Sequence, residues 1–314
     1  MTPTSRSPSQ AVVVVGSLNR DYVCTVDRLP GPGETRLGSE LALWCGGKGG
    51  NQAVAAALLG GAAVSMVGAL GDDPDGTALL EGLCEAGVDV DDVVVRRGVR
   101  SGAALITVAA DGENTIVVAP GANQTVDEDH VRAALRRRTP AVVVAQGELP
   151  PRVVAATVEE AAALGARPVL NLAPVISLAP DVIRLCDPLV MNQSEAGVVL
   201  GRALPASSDL EAATAELARR ARSVVVTGGA AGAWVCEGRE VHHVPARRVE
   251  VVDTTGAGDA FTGTLAVGLA RGQELRDAAA WGSAAAAYAV GRAGAQASFP
   301  RGAEIDVSRS GAAP

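Results

Sequence analysis

Short runs of β-branched and aliphatic residues at 11–15, 63–67, 141–145, 168–172, 189–191 and 223–227 recur along the chain, separated by stretches of helical composition near 51–59, 76–86, 127–137, 151–164, 194–200 and 210–220. Strands this uniformly apolar cannot leave a face in water. Alternation with helices therefore predicts an α/β fold, a three-layer α/β/α sandwich around a mostly parallel sheet. One region breaks the pattern. Residues 101–109 and 114–119 flank Asp111-Gly112 and read as two strands around a turn, and with residues 36–45 they would make a small second sheet. Its apolar face needs cover, so it is a lid over a ligand, a dimer surface or both; the plain alternative is an edge hairpin. The expected organisation is one domain over 11–305, with lid segments at 17–45 and 100–120, between a disordered N-terminal tail at 1–10 and a loose C-terminal tail at 306–314.

With 314 residues, 48% hydrophobic and 20% charged, the chain can bury a large core. A net charge of -8 and a pI near 5.0 argue against nucleic acid or an anionic membrane as partner, so any phosphate site must be local. Cys24, Cys45, Cys84, Cys186 and Cys236 form no C-x-x-C pair, and the first ten residues lack an apolar core; both fit a reducing, cytoplasmic setting. Lys48 is the only lysine. It stands within GGKGGNQ (46–52), where flanking glycines let a flexible ammonium approach a ligand; an arginine-biased composition with one chance survivor is the other reading.

A second glycine-rich segment, DTTGAGDAFTG (253–263), carries the chemistry. Residues 249–252 read as a strand, Gly256 and Gly258 as a tight turn, and residues from Ala260 onward as a helix. A helix that opens this way offers unpaired N–H groups and a positive dipole end to a phosphate, and the same field favours the ionised carboxylate of Asp259 as a proton acceptor. Asp259 as a simple helix cap is the competing reading. Other polar groups fall at strand ends, where ligands bind in open α/β sheets: Asn19, Asp21, Glu148, Asn192, Glu195 and the loop TGGAAG (227–232). Asn and Asp suit a polyhydroxylated ligand and the glycine loop suits phosphates, while Asn192 and Glu195 also have the spacing of a capping box. Neither a P-loop nor a dinucleotide fingerprint is present.

GGKGGNQAVAAALLGG (46–61) and DTTGAGDAFTG (253–263) resemble the two signature regions of the PfkB carbohydrate kinase family. PGPGET, GDDPDG, GENTIVVAPGAN, QGELP, NLAP, MNQSEA, VTGGAAGAW and GAQASFP match in order over nearly the whole chain. The resemblance implies ATP-dependent phosphorylation of a sugar hydroxymethyl group, with ribose at O5 first, and a nucleoside, fructose, deoxyribose or a keto-deoxysugar acid as alternatives. It implies a β lid and a homodimer through it. Asp259 corresponds to the catalytic base, and Gly256, Ala257 and Gly258 to the anion hole. Asn19, Asp21, Gly47, Lys48, Asn51 and Glu148 correspond to sugar positions. Asn192, Thr227, Gly228, Gly229, Ala230, Ala231, Gly232, Gly258 and Ser283 correspond to ATP positions. Glu195 resembles the residue that organises Mg²⁺ through water, and Asp253, Thr255, Ala289, Arg292, Gly294 and Ser298 match a K⁺ site. Ser283 replaces a frequent His or Asn, and Gly50 a usual Ala. Tyr22 and Trp44 either stack on a nucleoside base or pack within the lid. A non-catalytic sensor on the same fold would be favoured only if the base, the anion hole or Lys48 were lost, and all three are present.

Overall fold

Val12–Val15 (β1) is fully buried because it lies inside a nine-stranded sheet with helices on both faces. The computed structural model describes residues 10–305, so the expectations for 306–314 and for nearly all of 1–10 lie outside the described residues. The remaining strands are β2 (Asn19–Val26), β3 (Ala42–Gly46), β4 (Val64–Gly71), β5 (Asp89–Arg96), β6 (Gly102–Ala109), β7 (Asn114–Ala119), β8 (Val142–Gln146), β9 (Arg167–Asn171), β10 (Leu189–Asn192), β11 (Ser223–Thr227), β12 (Ala233–Glu237) and β13 (Glu240–Val244). The helices are α1 (Lys48–Leu59), α2 (Pro74–Glu85), α3 (Glu128–Arg138), α4 (Pro151–Ala163), α5 (Pro180–Ile183), α6 (Gln193–Leu200), α7 (Asp209–Leu217), α8 (Ala257–Ala270) and α9 (Leu275–Val290).

The large sheet runs β13-β12-β11-β10-β9-β8-β1-β4-β5, parallel except where β12 and β13 are added antiparallel. Alternate residues of β1 enter two separate cores. Val12 and Val14 pack with α1, α2, α8 and α9, while Val13 and Val15 pack with α3, α4, α6 and α7. Because β1 pairs with β4 on one side and β8 on the other, the chain changes direction at β1, and the carboxyl ends there open a crevice. No described helix is long and apolar enough to cross a membrane.

The second sheet runs β3-β2-β6-β7. Its hairpin, β6 and β7, falls where the sequence predicts it, but within the 36–45 segment strand begins only at Ala42, in β3. β2 and β6 are its inner strands, and Asn19 and Asp21, within the expected 17–45 lid segment, lie in β2. A second correction concerns residues 249–252. They form no strand: Val249, Val251 and Val252 are exposed coil beyond β13, where β-branched composition finds no neighbouring strand to pair with. The missed β5 has three aspartates in its sequence; Asp92 is buried there because Arg137 and Arg138 of α3 pair with it.

Candidate active site

At the carboxyl end of β1 the backbone turns through Ser17, and α1 begins directly opposite. Gly47 caps α1 with φ 81°, and a Cβ there would lie 2.7 Å from the backbone nitrogen of Asn19, so only glycine lets α1 start so close to the lid's first residue. The Lys48 amide donates to Glu148 Oε2 at 3.0 Å, and Ser17 Oγ donates to the same oxygen. Glu148, which follows β8, thus ties α1 to the switch point of the sheet. Asn19 is buried and accepts from Asn123 Nδ2 at 2.8 Å. Asn123 also exchanges hydrogen bonds with the Leu18 backbone, fixing the junction between the large sheet and the lid.

Asp259 comes from the other side, in the first turn of α8. Gly256, with φ 76°, caps this helix in a left-handed conformation. A Cβ at Gly258 would meet nothing within 4 Å, leaving the helix terminus open to a ligand. Asp259 is 6% exposed; its Oδ2 accepts from Asn51 Nδ2 at 3.0 Å and its Oδ1 from Gln52 Nε2 at 2.9 Å. The register follows from the helix contact one turn on. A Cβ at Gly263 would lie 2.5 Å from the Gln52 carbonyl and 2.9 Å from Ala55 Cβ, so this glycine lets α8 approach α1 closely.

Four carboxylates, Asp21, Glu148, Glu195 and Asp259, share this crevice with one ammonium. Burial, followed by repulsion from Glu148 and Asp259, pushes the Asp21 carboxyl from 3.8 up to about 7, against the opposing pull of Arg20. The Asp259 carboxylate raises the Lys48 ammonium further above its ordinary value; burial opposes this, and Glu148 and Glu195 add to it. Lys48 therefore stays charged. Glu195 is raised mainly by burial, with the Asn192 amide and Lys48 pulling the other way. The capping box is present: Asn192 Oδ1 accepts from the Glu195 amide at 2.9 Å, and Glu195 Oε2 from the Asn192 amide at 2.8 Å.

Two cavities meet at the start of α8. The larger, about 500 Å³, is lined by Thr227, Gly229, Ala230 and Gly232 on one side and by Ser283, Ala286 and Val290 of α9 on the other. The smaller, about 210 Å³, is lined by Lys48, Asn171, Asn192, Glu195, Gly256 and Asp259 among others, and both share Thr227, Thr254, Gly258 and Phe261. Ala257 also faces the larger cavity. Gly228 packs inward instead, close to Leu210 and Trp234, and the Ala231 carbonyl meets His243 Nε2 at 2.7 Å.

The loop before α8 is tied to the one after α9. Asp253 Oδ1 accepts from the Thr255 amide and Oδ2 from the Gly294 amide, each at 2.8 Å. Burial raises the Asp253 carboxyl, but bonds from Thr255 and Gly294 together hold it below its ordinary value. The Asp253 amide in turn donates to the Val290 carbonyl, next to Ala289. The Arg292 side chain turns to Tyr288, and the buried Ser298 hydroxyl donates to the Ala295 carbonyl. Tyr22 donates to Asp75 at 2.6 Å, while Trp44 is 38% exposed at the lid edge near Gly294.

Sequence reasoning missed Gln52, Gln146, Asn171, Asn123 and Gln296. All five sit in matched motifs, as the Q of NQ, the first residues of QGELP and NLAP, the N of PGAN and the Q of GAQAS, but nothing in those motifs says that Gln52 meets Gln146 and Asn171, that Asn123 meets Asn19, or that Gln296 Nε2 donates to Asn51 Oδ1.

A carboxylate at a helix N-terminus, beside an ammonium and at the junction of two cavities on a lidded three-layer sandwich, defines a small-molecule kinase. The chain belongs to the PfkB family: the model for pfkB family carbohydrate kinases matches residues 9–301. It is 37% identical to the ribokinase of Schizosaccharomyces pombe over 95% of this chain and 97% of that one. Among solved structures, it is similar to the ribokinase of Thermotoga maritima (31% identity, TM-score 0.85, 96% and 98% of the two chains). It is also similar to the Arabidopsis thaliana ribokinase complexed with ribose and ATP (28% identity, TM-score 0.84, 96% and 98%).

Proposed function

We propose that this protein transfers the γ-phosphoryl group of ATP to O5 of ribose, giving ribose 5-phosphate and ADP. The observation that carries this reading is the Asp259 carboxylate, oriented by Asn51 and Gln52 at the helix terminus where the two cavities join. The names of the similar proteins support ribose as the acceptor. Asp259 takes the proton of the attacking hydroxyl as the new P–O bond forms, and the bond to the ADP oxygen breaks in line with it. The first-turn amides from Gly256 to Gly258 and the Lys48 ammonium face the charge carried by the transferring group.

The sugar lies against Asn19, Asp21, Gly47, Lys48, Asn51 and Glu148, and ATP occupies the larger cavity with its base near Ser283. The residues present fit both expected ions. Glu195 and Asn192 border the smaller cavity and suit Mg²⁺ held through water, which would neutralise phosphate charge. The ionised Asp253 and nearby backbone carbonyls form a hard oxygen set suited to K⁺ outside the reacting groups. Leu105, Ile116, Val117 and Val118 leave an exposed apolar lid surface, which supports a homodimer through the lid. Five free cysteines support a cytoplasmic setting.

The test is ADP release with ATP, Mg²⁺ and K⁺ against ribose, deoxyribose, fructose and adenosine. Ribose should give the highest kcat/KM. A preference for adenosine would replace the sugar assignment, and ligand binding without ADP release would make the protein a sensor.

A further inference from the structure

Asn51 is one of two amides that hold Asp259; the other, Gln52, is the centre of a buried chain. Gln52 is 0% exposed and Gln146 1% exposed. Asn171 Nδ2 donates to the Val190 carbonyl, which leaves Asn171 Oδ1 to accept from Gln52 Nε2 at 3.0 Å. Gln146 Nε2 donates to Gln52 Oε1 at 2.8 Å. The Gln52 amide is thereby fixed at both ends: its oxygen accepts from β8, and its nitrogen donates to β9 and to Asp259. A flipped amide would set oxygen against oxygen at Asn171 and Asp259 and nitrogen against nitrogen at Gln146.

The chain also carries a cost that packing alone does not explain. Gln146 Oε1 is buried with no hydrogen-bond partner. An apolar side chain at 146 would remove that unsatisfied atom, so the amide's use lies in its other end, the donor that orients Gln52.

We propose that Gln52 is a positioning residue for phosphoryl transfer: locked by Gln146 and Asn171, it fixes the rotation of the Asp259 carboxylate without touching either substrate. The proposal rests on Asp259 being the base. A carboxylate turns easily about its last torsion, and a base must present one lone pair to the attacking hydroxyl, so a donor held by two strands of the central sheet limits that freedom.

The test compares Gln52→Leu, Gln146→Met and the double variant with the parent enzyme, using single-turnover rates across pH, KM for ATP and thermal melting. Gln52→Leu should lower the single-turnover rate by about tenfold or more while leaving the ATP KM within about twofold. Loss of a donor to the base should also move the acid limb of the rate profile to higher pH. Gln146→Met, which cannot touch Asp259, should give a smaller change in the same direction, and the double variant should be no slower than Gln52→Leu alone. If Gln52→Leu fails to fold, Gln146→Met carries the test. An unmoved acid limb, or a rate loss matched by an equal rise in the ATP KM, in whichever variants fold, overturns the proposal. Asp259→Asn in the same assay separates the two claims: if it is inactive while the Gln variants behave as the parent, the positioning role alone falls, and if it stays active, the base assignment falls.

Discussion

Replacing Asp21 with Asn should make the protein more stable at neutral pH and a poorer enzyme. Burial and the neighbouring Glu148 and Asp259 hold the Asp21 carboxyl at about 7 rather than 3.8. Three pH units correspond to about 4 kcal/mol between the two protonation states. The sign follows from proton counting. Between 3.8 and about 7 the folded protein keeps a proton that the unfolded chain has lost, so the contribution of Asp21 to stability is intact below 3.8 and declines as pH rises through about 7. Asn has no charge to bury. Urea unfolding of parent and variant should therefore show a gap that is small near pH 4, widens in the variant's favour and levels off above pH 7, at up to about 4 kcal/mol. The sugar KM should rise in the variant, because a buried carboxylate accepts hydroxyl hydrogen bonds more strongly than an amide. A stability gap that does not change with pH, or a parent that is the more stable of the two at pH 8, would refute the electrostatic reasoning.

Gly263→Val should lower stability by about 1–3 kcal/mol, since its side chain meets the Gln52 carbonyl and Ala55 and forces α8 from α1. The same displacement shifts Asp259 relative to Asn51 and should reduce turnover by about 10²-fold even in correctly folded protein; denaturant melts and kcat measured on one preparation check both. Exchanging K⁺ for Li⁺ should slow turnover if the Asp253 and Gly294 loops hold a monovalent cation, and equal rates in both salts would remove that site from the account.

Much of this architecture was legible because its determinants are local. β8, β10 and β11 fall within one or two residues of the apolar runs that announce them, and the β6–β7 hairpin follows from its Asp-Gly turn. β5 was hidden because the partners that make Asp92 tolerable come from α3, more than 40 residues away. The coil at 249–252 differs for the converse reason, since β-branched residues form a strand only where the fold lays them alongside another strand. At the site, the glycine-rich motifs identified Asp259 and Lys48, whose residue types and surroundings announce charge chemistry. Gln52, Gln146 and Asn171 were illegible because a neutral amide has no distinctive pattern; their meaning lies in contacts spanning 94 to 207 residues.

The central claim is that Asp259 takes the proton of the attacking hydroxyl, and single turnover of Asp259→Asn with ATP, Mg²⁺ and ribose tests it most directly. The account predicts a folded variant that binds ATP like the parent but transfers phosphoryl more slowly by a factor on the order of 10² to 10⁴. A variant with an unchanged transfer rate would contradict it.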